Sequence, residues 1–501
     1  MNFAAMNQFS ESRVAFNLKW MLPFLGLLFI IVHYWKKRKL YYYALKFPGP
    51  FGFPLFGSIH LLKDGPGEVY KMLTTLFGRY PNVFSVWMGK ELYIGLSRPK
   101  DLEIILNRCL NKGNVYEYTE DYFYDSLITA PVNIWKERRK VINKAFHMTI
   151  INSFAEKFLE GGNSLVLNFK GKCNGEPFDV LPSVWRVTFD VACATLGNVD
   201  SNLLKGQDQY MLDLMSSHRI IFGRFYNPLY RFNFFWRRSS FGKEAQIIKQ
   251  RTWNFIDQMI DLKRRTSDGN FQQNYFLDLL IRLEDEKKMS HEEVVKEVQF
   301  MFAASHETTA VTVSAVLLAL GMHPDIQERI FEELESIFGK SDRDVTLDDV
   351  NKMDYLKRVI KETLRLFPTI PFIARRVDQD LRTDSSFYPR GSTVVIPMAH
   401  LNRKAEFWPD PLKFDPDRFL TEENQNVPRC TFIPFSYGPR NCMGVKYAML
   451  SMQFTLSTLL RHYKVTSSNY KTIQEIDFGM TIVARPKRGY IISIEKRNRY
   501  I

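Results

Sequence analysis

Phe435–Gly444 reads FSYGPRNCMG and sets one cysteine, Cys442, among residues whose joint chemistry suits a metal-bound thiolate. Phe435 covers the sulfur and keeps it dry. Gly438 and Gly444 let backbone approach a flat ligand with no Cβ in the way. The amides after the cysteine point at the sulfur and stabilise its negative charge. Arg440 suits a carboxylate of a macrocycle. A cysteinate on haem iron pushes electron density toward the metal and favours O–O cleavage. A buried free cysteine in a Gly-rich loop is the bland alternative; it loses ground as other motifs accumulate along the chain.

A second constellation, Ala304-Ser305-His306-Glu307-Thr308-Thr309, sits in an otherwise apolar run. An acid beside a hydroxyl in a helix interior is costly unless it is used or paired. A threonine that bonds the carbonyl one turn back opens the helix locally. That predicts a groove for dioxygen, with Thr308, water and Glu307 passing protons to the distal oxygen. Glu362-Thr363-Leu364-Arg365 places an acid and a base three apart on one helix face, and Phe414-Asp415-Pro416-Asp417-Arg418-Phe419 offers a second arginine. Trp135 and Arg139 stand one helical turn apart, and Arg375 follows Pro371-Phe372-Ile373-Ala374.

These motifs resemble those of cytochromes P-450. The cysteine loop matches Phe-x-x-Gly-x-Arg-x-Cys-x-Gly at every fixed position, and Ser305 stands where the family usually has glycine, which predicts a narrower distal groove. The resemblance covers about residues 46–495. It implies a mainly α (α+β) fold with small sheets, and haem b between the long central helix and the cysteine-loop helix. It makes Cys442 the axial iron ligand, and Phe435, Gly438, Arg440, Gly444, Trp135, Arg139 and Arg375 the cofactor residues. Arg375 is preferred over its neighbour Arg376. Glu307 and Thr308 become catalytic, and Glu362, Arg365 and Arg418 a buried structural triad. The segment from Glu297 to Thr309 is similar to the long helix of the family-4 clan. Many of that clan esterify haem through a glutamate where this chain has Ala304, so the haem is expected to be non-covalent. NADPH electrons through a reductase, with cytochrome b5 as a further partner, would drive insertion of one oxygen atom into a lipophilic substrate such as a fatty acid, hormone, odorant or xenobiotic. A peroxide isomerase or dehydratase is the rival enzyme, against which Glu307-Thr308 argues. A non-catalytic membrane haem protein is the third reading.

These residues need elements to hold them. Ser290–Glu293 fits a capping box. The helix it opens runs to Gly321, about 45 Å long, with Pro324 beyond. It is apolar nearly all round and so is expected in the core; Glu307 and His306 argue against a second membrane span. Amphipathic helices follow at 325–338 and 355–367, then an irregular run at 402–418. Strands are expected at 83–87, 92–96, 394–397 and 490–494, helices and strands being segregated.

The first 54 residues read differently. A short tail, 1–19, precedes Trp20–Trp35, WMLPFLGLLFIIVHYW, which carries no acid or strong base. As a helix it spans about 24 Å, nearly the hydrocarbon core, with Trp20, Tyr34 and Trp35 at the interfaces. Lys36-Lys37-Arg38-Lys39 follows and places the C-terminal side in the cytosol. A cleaved signal peptide lacks its small-residue site here. The stretch 36–54, ending in FPGPFGFP, is expected as a basic, proline-rich hinge, and 55–501 as the catalytic domain. Localisation is therefore expected at the endoplasmic reticulum membrane, catalytic domain outward. The chain of 501 residues carries net charge +14 and five cysteines with no C-x-x-C pair, which fits a reducing compartment and not a disulfide framework. No nucleic-acid motif accompanies the charge; lipid and an acidic redox partner account for it. Lys136, Arg138, Lys140 and Lys144 predict a basic docking patch, and the aromatic, arginine-rich stretch 220–238 a membrane contact.

Overall fold

The computed structural model describes residues 3–62, 65–123, 125–267, 275–420 and 427–497. Helices dominate, and the helix His291–Met322 crosses the core. Its start is fixed as the sequence predicts: the Ser290 hydroxyl takes the Glu293 N–H while the Glu293 carboxylate takes the Ser290 N–H. Its residues from Ala310 to Leu320 are all buried, so nothing polar is needed on its surface. Among the described residues it is the one helix long and apolar enough to span a membrane, yet 83% of that apolar window lies inside the protein. It packs on the helices Leu181–Ala192 and Asp354–Leu366 and on the helix Val445–His462, which follows the cysteine loop.

The strands gather into small sheets beside this helical body. The largest has the order Val83–Met88, Glu91–Leu96, Thr393–Pro397, Phe372–Arg376. The first pair is an antiparallel hairpin, the central pair runs parallel from Tyr93 opposite Thr393, and the last is antiparallel with Arg375 opposite Val394. Strand alternation buries Arg375 completely and turns Arg376 outward. A short hairpin, Phe478–Met480 with Ala484–Pro486, is reached only at the end of the chain.

The N-terminal region departs from the expected boundaries. One helix runs from Phe3 to Ala44, straight through the basic cluster. Trp20 and the tail before it have side chains outside the described residues. Residues 36–44 are not hinge. Tyr41 stacks on Trp87 at 4.2 Å, Tyr43 on Phe387 at 4.0 Å, Lys39 pairs with Asp380, and Ala44 is buried. The proline run is not free either: Ser85 N–H donates to the Pro48 carbonyl at 2.8 Å, and a Cβ on Gly49 would lie 2.1 Å from the Ser85 oxygen. Aromatic stacking therefore fastens the stem of this helix to the first sheet.

Candidate active site

The cysteine loop is closed by its own backbone. Cys442 N–H donates to the Phe435 carbonyl at 2.9 Å, and Asn441 N–H to that of Gly438 at 3.0 Å. Gly438 has φ +74°, and a Cβ there would meet the Leu106 carbonyl oxygen at 2.5 Å. A glycine is thus needed here for the close approach of the helix Pro99–Arg108. A Cβ on Gly444 would lie 3.8 Å from the Cys442 sulfur, and the Gly444 N–H bonds that sulfur. Cys442 is exposed to the cavity that it lines. Burial raises its thiol pKa, against the Gly444 amide and the nearby Arg139 and Lys112.

That cavity has a volume of about 500 Å³. Cys442, Phe435 and Gly444 line one side; Ala304, Ser305, Glu307 and Thr308 of the central helix also line it. Aromatic and aliphatic side chains make most of the remaining wall, among them Phe77, Phe84, Phe123, Phe225 and Phe372.

Four cations gather at one edge. Arg139 donates to the Asn441 carbonyl at 2.8 Å and its side-chain oxygen at 3.0 Å. Arg440 gives its donors to the carbonyls of Leu110, Leu127 and Ala130 at 2.7–3.1 Å and stacks on Trp135, 4.3 Å from the ring centre. Arg375 reaches Ser436 at 3.3 Å and leaves its Nε buried without a partner. Lys112, missed in the sequence, lines the cavity together with Arg139 and Arg440. Burial, then Arg375, Arg440 and Arg139, holds the Lys112 pKa well down; burial, then Arg375 and Arg139, brings Arg440 to about 9. None of the four forms an ion pair with a carboxylate among the described residues. An unpaired buried guanidinium N–H within such a cluster calls for an acceptor, and an anionic one would also offset the gathered charge. A haem carries two carboxylates on one edge, so the donors, the thiol and the cavity fit that group together.

On the central helix, Thr308 donates to the Ala304 carbonyl at 2.8 Å, and Ser305 to that of Phe302 at 3.0 Å. The helix is continuous through this turn. Glu307 accepts from Arg485 of the terminal hairpin, and His218 Nδ1 lies 3.5 Å from the same oxygen. Burial raises the Glu307 pKa while Arg485 opposes it. Burial, then Arg485, drives His218 down to about 3, so its imidazole is neutral. Neither partner was legible: Arg485 and His218 are ordinary residues in sequence, brought to Glu307 by folding alone.

Glu362 and Arg365 are fully buried and joined by a fork of two 2.7 Å bonds. Arg418 Nε lies 3.6 Å from Glu362, whose carboxylate also accepts the Asp415 N–H at 2.8 Å. Arg365 further donates to the carbonyls of Asn402, Pro411 and Lys413. The irregular run is thus gathered on one arginine. One basic residue is corrected: Arg138 is turned inward to Glu293 and Glu297, each at 2.8 Å, while Lys136, Lys140 and Lys144 stay exposed.

The family model of cytochrome P-450 matches residues 47–493. The chain belongs to the cytochrome P-450 family. It is similar to cytochrome P-450 4V2 of Homo sapiens, 29% identical with 89% of each chain covered. It is 30% identical to cytochrome P-450 4g1 of Drosophila melanogaster over 93% of this chain and 92% of the relative. It is 31% identical to the probable cytochrome P-450 4s3 of the same fly, over 85% and 87%. This cytochrome P-450 is accordingly of the family-4 type, a haem-thiolate monooxygenase.

Proposed function

We propose that this cytochrome P-450 is anchored by its N-terminal helix in the endoplasmic reticulum membrane and oxidises lipophilic molecules on the cytosolic face with NADPH-derived electrons. The observation that carries the substrate class is the cavity between Cys442 and the central helix, apolar over most of its wall. Haem bound through a thiolate supplies dioxygen reduction and O–O cleavage. Cys442 would ligate its iron. Lys112, Arg139, Arg375 and Arg440, with Trp135, receive its carboxylates. Thr308 and Glu307 hold and pass protons at the distal side, Arg485 keeping the acid ionisable. Phe435 excludes water from the sulfur. Glu362, Arg365 and Arg418 brace the segment leading into the cysteine loop.

Ala304 offers no carboxylate for an ester, so the haem is held without a covalent bond. Lys136, Lys140 and Lys144 form the surface for an acidic reductase or cytochrome b5. The side chains of Phe24, Leu25, Leu27, Phe29 and Ile31 project from the protein unburied, as a lipid-spanning helix requires. Exposed Leu229, Phe232, Phe234 and Phe235 lie beside Arg237 and Arg238, a composition suited to the interface.

The test is a carbon monoxide difference spectrum of the reduced membrane fraction, followed by turnover with reductase and NADPH. The band of thiolate-ligated haem and substrate-dependent NADPH use are expected. Loss of that band in undamaged protein would overturn thiolate ligation; product from an organic peroxide without NADPH would favour the isomerase.

A further inference from the structure

Glu297 lies in the same helix as Glu307 but ten residues earlier, about 15 Å along the axis. It is fully buried. It does not line the cavity and has no part in the chemistry assigned above. A buried carboxylate is costly unless its partners do something with it. Burial pushes its pKa up to about 7, against Arg138 and the Leu127 amide.

Its partners define what it does. One oxygen accepts the Leu127 N–H at 3.0 Å. The other accepts Arg138 at 2.8 Å, and the same Arg138 nitrogen also donates to the Asp125 carbonyl. Both bonds fall on the turn 125–130, which is closed by Ala130 N–H to the Ser126 carbonyl at 2.8 Å. The carbonyls of Leu127 and Ala130 in that turn are the ones that receive Arg440. Arg440 stands two residues before Cys442. Beside Arg138 on the same helix, Arg139 binds Asn441. The amide and the carbonyl of Leu127 therefore join the acid of the central helix to the arginine of the cysteine loop.

We infer that Glu297 is a positioning residue for the thiolate ligand: by fixing the turn 125–130, it sets where Arg440 and the cysteine loop stand against the cofactor. The inference rests on the haem-thiolate reading above, and its failure is separable from failure of that reading. Wild-type protein without the thiolate band would sink the reading before any variant is made.

The experiment follows loss of the carbon monoxide difference band with time, in full-length protein in its membrane fraction, below the unfolding temperature. Glu297→Leu is expected to lose the band about tenfold faster than wild type, the scale of one charged hydrogen bond removed. Glu297→Gln keeps an oxygen for the Leu127 N–H and is expected to recover part of that difference. Asp278→Asn is the comparison: Asp278 is equally buried and pairs with Lys263 at 3.0 Å between two other helices. It is expected to unfold at lower temperature yet keep the wild-type band-loss rate. Wild-type decay in Glu297→Leu, no recovery in Glu297→Gln, or decay in Asp278→Asn as fast as in Glu297→Leu would each overturn the inference. If Glu297→Leu does not accumulate, Arg138→Lys removes the fork to Glu293 and Glu297 with charge retained. Faster band loss there supports the inference, and an unchanged rate overturns it.

Discussion

Glu307 is held between a cation and a neutral imidazole, and that placement decides how it titrates. Arg485 is the largest influence opposing the burial that raises its pKa. Removing Arg485 lets the pKa climb further, so a step that needs the carboxylate begins to fail at higher pH. For Arg485→Gln we expect the acid limb of the kcat–pH profile to move upward; a limb that stays put would mean Arg485 does not govern the acid. Glu307→Gln is expected to lower kcat by about 10²-fold, the lower range for a lost proton-transfer group. His306, next to it, is fully buried against Trp185 and Phe189. Burial brings its pKa down to about 4. A group that binds its proton less well when folded stabilises the fold above its unfolded pKa of about 6.5 and loses that contribution as pH falls toward 4. On the order of 3 kcal/mol is at stake from that shift. Thermal unfolding from pH 8 to pH 4 should show Tm falling more steeply in wild type than in His306→Gln, which keeps a donor for the Phe302 carbonyl.

At the scale of elements, the ion cluster of the helix Asp354–Leu366 shows what local sequence can and cannot carry. Glu362 and Arg365 sit three apart on one helical face, so their meeting follows from helix geometry. Arg418 and the carbonyls of Asn402, Pro411 and Lys413 meet them only because the irregular run folds back. Glu362→Ala leaves the buried Arg365 and the partly buried Arg418 without their acid, a loss of about 3–5 kcal/mol. The expected outcome is protein with little bound haem, measured as haem per chain; full occupancy would show that the cluster is dispensable. The central helix was legible from end to end, since its capping box and unbroken apolar run are local signals. The first two strands were legible as short runs at 83–87 and 92–96, one residue short of the strands Val83–Met88 and Glu91–Leu96. The contact of Gly438 with the Leu106 carbonyl was not legible, because nothing in FSYGPRNCMG announces that neighbour. Arg485 and Lys112 were invisible for the same reason: each enters the site from a distant segment, with no pattern of its own. Arg138 was misread because a helix surface looks basic whether its arginine meets solvent or two acids.

For the whole molecule, charge and exposed apolar surface point to one face. The proline run exposes Phe51, Phe53 and Phe56, and the short helices after residue 226 expose Leu229, Phe232, Phe234 and Phe235. The two are neighbours: Gly89 N–H donates to the Phe56 carbonyl at 2.9 Å, while Arg231 donates to the Met88 carbonyl at 3.2 Å. A soluble surface rarely gathers so many aromatics in one patch. Removing residues 1–35 leaves Tyr41, Tyr43 and Ala44 seated on the first sheet, so the protein should keep its fold and its haem. It should also still bind vesicles of mixed neutral and anionic lipid. Each aromatic entering the interface contributes about 1 kcal/mol or more, and each nearby arginine about 1 kcal/mol on an anionic surface. Replacing Phe232 and Phe235 by serine in that truncated protein is expected to release it into the supernatant on sedimentation, with thermal unfolding unchanged. Raising salt alone should weaken the association only in part, since the aromatic contribution is not screened. Complete release by salt, with the phenylalanines intact, would show that charge alone holds this face to the membrane.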